Sequence, residues 1–433
     1  MSLKKYGSLS LLLLGCLFAL FLSACGTQVQ QAPQIQQTSG LANLSLLPSS
    51  SSLAQQTTIS TSCPAPGTGR AAVLPYLSLG PHRNVVHTYS TFDTNSNPLN
   101  SFLKRYDVVT KTKTVIYSVQ QKYISGIQIS ANGQWVLFVT QQTVQGSQLS
   151  KLQLIRVDGT YLQTLYCAST IDQSQWSTDQ KLVVFSTVSN GTQHVDVLNA
   201  TTGAVQTDLS APANNGILVR TWLDTRRIYI TNTQIDQPPN IIYLLDTRKG
   251  ANQQLSNLPV VFNGNFADFD SSYDGSKLFI NTCACGQGGD TGPSTITVRP
   301  ALGGQAQALY STPAYAVTSV RAVTPTTLLF IIDSFSIAGQ VDQSHNGLWK
   351  MQTNGTGLTR LTTDVPGISS GFNSATQFPW SNVSRDNSMY ALQADGSHKV
   401  TLVIGSLSGG TPTTIASISG KGASLNIVGW TTM

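Results

Sequence analysis

Beyond about residue 71 the chain is written in short runs of Val, Ile, Leu, Phe, Tyr and Thr, broken every 8 to 12 residues by Gly, Asn, Asp or Pro. Nowhere do apolar residues recur at helical spacing, and runs of this length bounded by turn formers suit short strands. The pattern predicts an all-β domain of antiparallel strands over residues 71–433. Two stretches ahead of it are patterned differently. Residues 26–69 hold no charged side chain and are rich in Gln, Ser and Thr, with Pro33, Pro48, Pro64 and Pro66 breaking any regular structure, so residues 25–70 are expected to form a disordered tether. Residues 9–22 are apolar, follow Lys4 and Lys5, and are too short and wrongly flanked for a permanent membrane span.

The strand runs repeat. Trp135-Val136-Leu137-Phe138, preceded by the turn Ser130-Ala131-Asn132-Gly133, superimposes without a gap on Leu182-Val183-Val184-Phe185, preceded by Ser177-Thr178-Asp179-Gln180. The same cadence recurs around Asp224, Asp274 and Asp386, more weakly at residues 324–330, and once more at residues 80–86. Each copy is followed by a second turn such as Asp158-Gly159 or Asn354-Gly355. Four strands per unit, repeated at a period of mostly 45 to 50 residues, describe the blades of a β-propeller. A four-stranded sheet alone cannot bury both faces, so such blades are stable only when stacked. Seven copies favour seven blades, and the irregular ones near Pro81 and Pro325 leave six or eight as alternatives.

Residues 348–362, from Leu348-Trp349-Lys350 to Arg360-Leu361-Thr362, resemble the second half of a TolB-type propeller repeat, and the Trp-Ser-x-Asp cadence resembles its first half. The resemblance spans residues from about 120 to 400 and implies a six-bladed relative. The sequence departs from that family in mostly lacking the proline of its Ser-Pro-Asp-Gly turn. Leu425-Asn426-Ile427-Val428-Gly429-Trp430 resembles an innermost strand whose blade is otherwise missing, and residues 84–120 are expected to supply the rest. Such a seam removes the open sheet edges that promote aggregation. Trp176, Trp222, Trp380 and Trp430 all end inner strands and are expected to pack between blades.

Composition places the domain. The apolar run ends in Leu22-Ser23-Ala24-Cys25, which resembles a bacterial lipobox. Residues 1–24 are accordingly expected to be a lipoprotein signal peptide and Cys25 the acylated first residue of the mature chain, held at the cell membrane or outer membrane. Removing Lys4 and Lys5 leaves a net charge of 25 − 2 − 19 = +4, too mild and dispersed to favour nucleic acid. The chain contains no glutamate, so all 19 acidic residues are Asp. Strands and turns suit Asp over Glu, and any mechanism that requires a Glu base or acid is excluded.

Candidate chemistry is sparse. Residues 367–371 satisfy G-x-S-x-G but lack the strand and helix a nucleophile elbow needs. His82, His87, His194, His345 and His398 are scattered over different repeats, none on an assigned inner strand. Asp268 and Asp270, followed by Asp274, form the densest acidic cluster and a weak calcium candidate; no cofactor is expected. Outside the cytoplasm, Cys63, Cys167, Cys283 and Cys285 suggest disulfides, with Cys63–Cys167 fastening the tether to blade two and a small ring at Cys283–Cys285.

In an up-and-down blade the first and third turns share one face, and the second turn shares the other with the blade-to-blade connection. Short Asx turns, with Asn132, Asp179, Asp224, Asp274 and Asp386, fall on the first face. The long segments 141–150, 232–240, 283–292, 333–346 and 364–373 fall on the second, with Asp236, Asp290, Asp333, Asp342 and His345 as rim candidates. Decorated loops on a rigid scaffold are where recognition resides. The expectation is a monomeric, lipid-anchored propeller that binds a protein or cell-wall partner through this rim. The alternatives are a lyase- or lactonase-type enzyme, or a small-ligand or sugar sensor, using the axial opening.

Overall fold

The computed structural model describes residues 32–33, 59–144, 147–232, 241–283, 293–333, 344–362, 381–396, 399–419 and 422–431. They form seven antiparallel blades around an axis. Blade one joins Ala423–Trp430 to Asn84–Phe92, Pro98–Asp107 and Lys113–Gln120. Blade two runs Tyr123–Ile129, Trp135–Val144, Ser147–Arg156 and Gln163–Ala168, with Ala32–Pro33 pairing along its first strand. Blade three, from Ile171–Trp176 to Val205–Pro212, gains Gln253–Gln254 of blade four as a parallel outer addition. Blades four, five and six begin with Ile217–Trp222, Asp268–Ser271 and Ala316–Thr324. Blade seven contains Met389–Gly396, Lys399–Ser406 and Thr413–Ser419, with its innermost position marked by a bridge from Val383 to Tyr390.

In blades two to seven the second strand carries an apolar run because both of its faces are covered. Val136, Leu137, Phe138 and Val139 are fully buried in succession, as are Ile228, Tyr229 and Ile230 in blade four. Side chains of alternate parity then enter different cores. Seven hydrophobic clusters fill the seven blade interfaces, and each draws on two adjacent blades. The last unites Ala391, Leu402 and Ile404 of blade seven with Val85, Leu425, Ile427 and Trp430 of blade one. Each fully buried aliphatic or aromatic side chain is worth roughly 1.5–3 kcal/mol, so no blade retains its stability when a neighbour is removed.

The expected seam is present. Trp430 pairs with Val85 and Ala423 with Thr91, so the two ends of the domain share one sheet. Trp176, Trp222 and Trp430 each end an inner strand and are buried between blades as anticipated; Trp380 lies outside the described residues. One expected loop is corrected. Most of residues 141–150 belong to strands, because Trp135–Val144 and Ser147–Arg156 keep pairing as far as Val144–Ser147. The polar, β-prone run Thr140-Gln141-Gln142-Thr143 extends the hairpin instead of interrupting it.

Residues 60–79 form a strap. It starts on the outer edge of blade two, where the Thr164 amide donates to the Ser60 carbonyl at 2.8 Å and Cys63 is bonded to Cys167. It then crosses onto the face of the short turns. There the Ala71 amide donates to the Ala200 carbonyl at 2.8 Å, and Gln134 exchanges hydrogen bonds with both backbone groups of Leu77.

Candidate functional site

Four of the short turns are built alike. The Ser130, Ser177, Ser272 and Ser384 hydroxyls donate to the carboxyl or amide oxygens of Asn132, Asp179, Asp274 and Asp386 at 2.6–2.7 Å. The residue after each Asx takes a positive φ of 56–70°, filled by Gly133, Gln180, Gly275 and Asn387. Asp224 closes the corresponding turn of blade four through the amides of Arg226 and Arg227 and the Arg227 guanidinium. Each of these positions is a turn residue bonded within its own turn, and Asp386 also takes the guanidinium of Arg83.

What the sequence did not disclose is the role of the residue between Ser and Asx. That residue is Ala131, Thr178, Tyr273 or Arg385, and three of these side chains act at the mouth of the axial channel. Thr178 and Tyr273 line a cleft of about 350 Å³ between the inner strands. Arg385 reaches out of blade seven to the carbonyls of Ala131 and Ser130 in blade two and of Trp430 in blade one. Burial pulls its pKa down to about 10.

Below this mouth the inner strands are tied to one another by side chains. The Gln128 carbonyl oxygen accepts the Trp176 amide at 2.6 Å, Gln173 accepts the Val219 amide at 2.7 Å, and Gln175 donates to the Arg220 carbonyl at 2.7 Å. In blade five, Asp268 is buried between two guanidinium groups, with Arg220 of blade four at 3.2 Å and Arg321 of blade six on its other oxygen. Its neighbour Asp270 is also buried and accepts the Ala322 amide at 2.9 Å. Burial, only partly opposed by Arg321 and that amide, pushes the Asp270 carboxyl up to about 7. Asp268, Asp270 and Asp274 are thus divided among an ion-pair network, the cleft and a surface turn. No three His, Cys or Asp side chains gather as metal ligands among the described residues.

The four described histidines stay apart. His82 bonds Asp107 at 2.8 Å, His194 bridges Ser189 and Ser210, and His87 is buried in blade one. His345 stacks on Tyr315 with ring centroids 4.7 Å apart. Cys63–Cys167 is bonded as expected. Cys25, Cys285, Asp236, Asp290, Asp342, His398 and residues 367–371 lie outside the described residues, as do the side chains of Cys283 and Asp333.

No protein-family model and no curated protein sequence matches the chain. Solved structures do. TolB from Acinetobacter baumannii is 12% identical with a TM-score of 0.45, over 81% of this chain and 67% of that one. The periplasmic gluconolactonase of Pseudomonas aeruginosa is 12% identical with a TM-score of 0.50, over 80% of this chain and 99% of that one. The chain has a β-propeller fold. A putative 6-phosphogluconolactonase from Bacteroides fragilis is also similar, at 12% identity and a TM-score of 0.48, over 82% of this chain and all of that one. At such identities the likeness of this propeller to its neighbours is one of fold, and propellers of one fold host unrelated functions.

Proposed function

We propose that this TolB-type propeller is a recognition scaffold of the bacterial envelope, lipid-anchored through Cys25, that engages a protein or cell-wall partner through its long-connection rim. One observation carries the reading: the two faces are built to different rules. On the short-turn face the Ser and Asx side chains bond within their own turns, as with Asp274 and Ser272 at 2.6 Å or Asp179 and Ser177 at 2.7 Å, Asp386 also takes the Arg83 guanidinium, and the strap lies across blades one to three. At the opposite ends of the paired strands the intervals of sequence are long, from Asn232 to Ile241 in blade four, from Cys283 to Ser294 in blade five and from Asp333 to Gly347 in blade six, where the two residues Asn190-Gly191 suffice in blade three. Variable loops on a rigid ring are suited to recognition.

Two experiments test it. Cys25→Ser is expected to abolish incorporation of labelled palmitate and to release the protein from the membrane fraction; retention with undiminished label would remove the anchor. Deletion of residues 334–343 is expected to lower recovery of partners cross-linked in the intact envelope, and unchanged recovery counts against that rim.

A further inference from the structure

The net charge of the chain is small, but its charged residues are sorted between the two ends of the strands. On the short-turn face most carboxylates are already paired: Asp158, Asp179, Asp224, Asp246 and Asp386 each hold an Arg or Lys. Arg70 on the strap, Lys111 and Lys113 in blade one, Arg226 and Lys249 in blade four and Lys277 in blade five are exposed on that face. None of these six takes part in an ion pair among the described residues. At the other ends of the strands the balance reverses. The intervals of sequence between Asn232 and Ile241, Cys283 and Ser294, and Asp333 and Gly347 contain Asp236, Asp290 and Asp342 and no Lys or Arg.

Exposed apolar side chains follow the cations. Of the nine exposed large hydrophobic residues among the described ones, six lie on the short-turn face. Val73 and Tyr76 are on the strap, Tyr273 is in the first turn of blade five, and Val109, Leu302 and Leu358 are in or beside the third turns of blades one, five and six. The other three, Leu99, Val115 and Val260, belong to strands. A single exposed apolar side chain is ordinary. A set interleaved with unpaired cations at one end of a rigid ring has the make-up of an interfacial surface, in which basic residues meet anionic headgroups while Tyr and aliphatic side chains enter the boundary with the acyl chains. A soluble polyanion fits less well. It offers nothing apolar to Val73, Val109, Leu302 and Leu358, and the cations are spread over the strap and blades one, four and five, where a broad anionic surface meets more of them than a single thread does.

We propose that the short-turn face docks on an anionic lipid bilayer, with Lys249, Lys277 and the other unpaired cations at the headgroups and Tyr76, Tyr273 and Leu302 at the acyl boundary. This orientation turns the long intervals at the other strand ends away from the bilayer. It goes beyond the rim reading and requires neither a partner there nor an acyl chain on Cys25.

The test is vesicle flotation of the full mature chain carrying Cys25→Ser, so that no acyl chain contributes. The vesicles are phosphatidylcholine alone or equimolar with phosphatidylglycerol, and heparin serves as a soluble polyanion. Binding to the anionic vesicles is expected, at least tenfold stronger than to phosphatidylcholine and weakening as sodium chloride is raised. A basic residue at an anionic surface contributes about fivefold, so Lys249→Gln with Lys277→Gln is expected to weaken binding at least tenfold. Tyr273→Ser with Leu302→Ser is expected to weaken it without altering its salt dependence. Lys122→Gln with Lys399→Gln, at the other strand ends, is expected to leave it unchanged, and thermal unfolding midpoints confirm that all variants fold. Deleting residues 334–343 is also expected to leave vesicle binding intact, so this face and the rim stand or fall separately. Equal binding to both kinds of vesicle, equal losses from the two lysine pairs, binding to heparin without binding to anionic vesicles, or no vesicle binding overturns the proposal.

Discussion

Asp270 and His87 are buried groups whose charged forms the fold opposes, and they do so in opposite directions of pH. The folded chain holds the Asp270 proton up to about 7 against an ordinary value of 3.8, chiefly through burial. Its contribution to stability is complete below the unfolded pKa and is lost as pH rises from about 4 to 7. His87 is pulled from 6.5 down to about 3 by burial, with Lys104 and Lys113 adding to the effect. Its contribution is complete above 6.5 and is lost as pH falls toward 3. Each window changes stability by about 1.4 kcal/mol per pH unit at most. Urea unfolding from pH 3 to 8 is therefore expected to show a flatter upper limb for Asp270→Asn and a flatter lower limb for His87→Leu. Identical curves for variant and parent would contradict the burial assigned to these groups. At this scale the turn residues were legible because Asx chemistry is local, acting over two or three positions. The Asp268 network was not, because its partners Arg220 and Arg321 sit 48 and 53 residues away on neighbouring blades. The missing prolines were a visible signal whose meaning required the axis: the positions they vacate hold Thr178, Tyr273 and Arg385.

At the scale of elements, the strap joins a segment with no strand pattern to blade two. The Cys63–Cys167 bridge closes a separation of 104 residues, and removing a bridge of this kind costs about 2–5 kcal/mol. Cys63→Ser with Cys167→Ser is expected to lower stability within that range and to expose the peptide bonds after Arg70 to trypsin, while the blades keep their β-sheet circular dichroism. Thiol titration of the unreduced mature protein is expected to find none free, and two free thiols would remove the proposed Cys283–Cys285 ring. The strands themselves were read well because the second strand of blades two to seven carries an apolar run buried on both faces. The 141–150 segment was misread as a loop because polar Gln and Thr were weighed above their capacity to pair, which Gln141 with Ser150 and Thr143 with Gln148 realise.

The whole molecule depends on the ring. Seven interface clusters, the last of which uses both ends of the domain, make the blades mutually dependent. Truncation after residue 422 removes the inner strand of blade one and strips Leu425, Ile427 and Trp430 from the seventh cluster. The truncated protein is expected to aggregate or to lose its cooperative melting transition, measured by size-exclusion chromatography and calorimetry; a monomer with an unchanged midpoint would show that the seam contributes nothing. Blade number and closure were legible from the repeat alone, since counting copies and noticing an incomplete last one requires no knowledge of long-range contacts.

The seam also fixes an order of events. Asn84–Phe92 leads its domain in the chain, yet its innermost partner is more than three hundred residues further on, so the first blade waits unfinished while the other six are made. Until Trp430 emerges, Val85 lacks its partner on the inner strand. During synthesis the head of the domain is thus its most vulnerable part, and it is rescued by the tail.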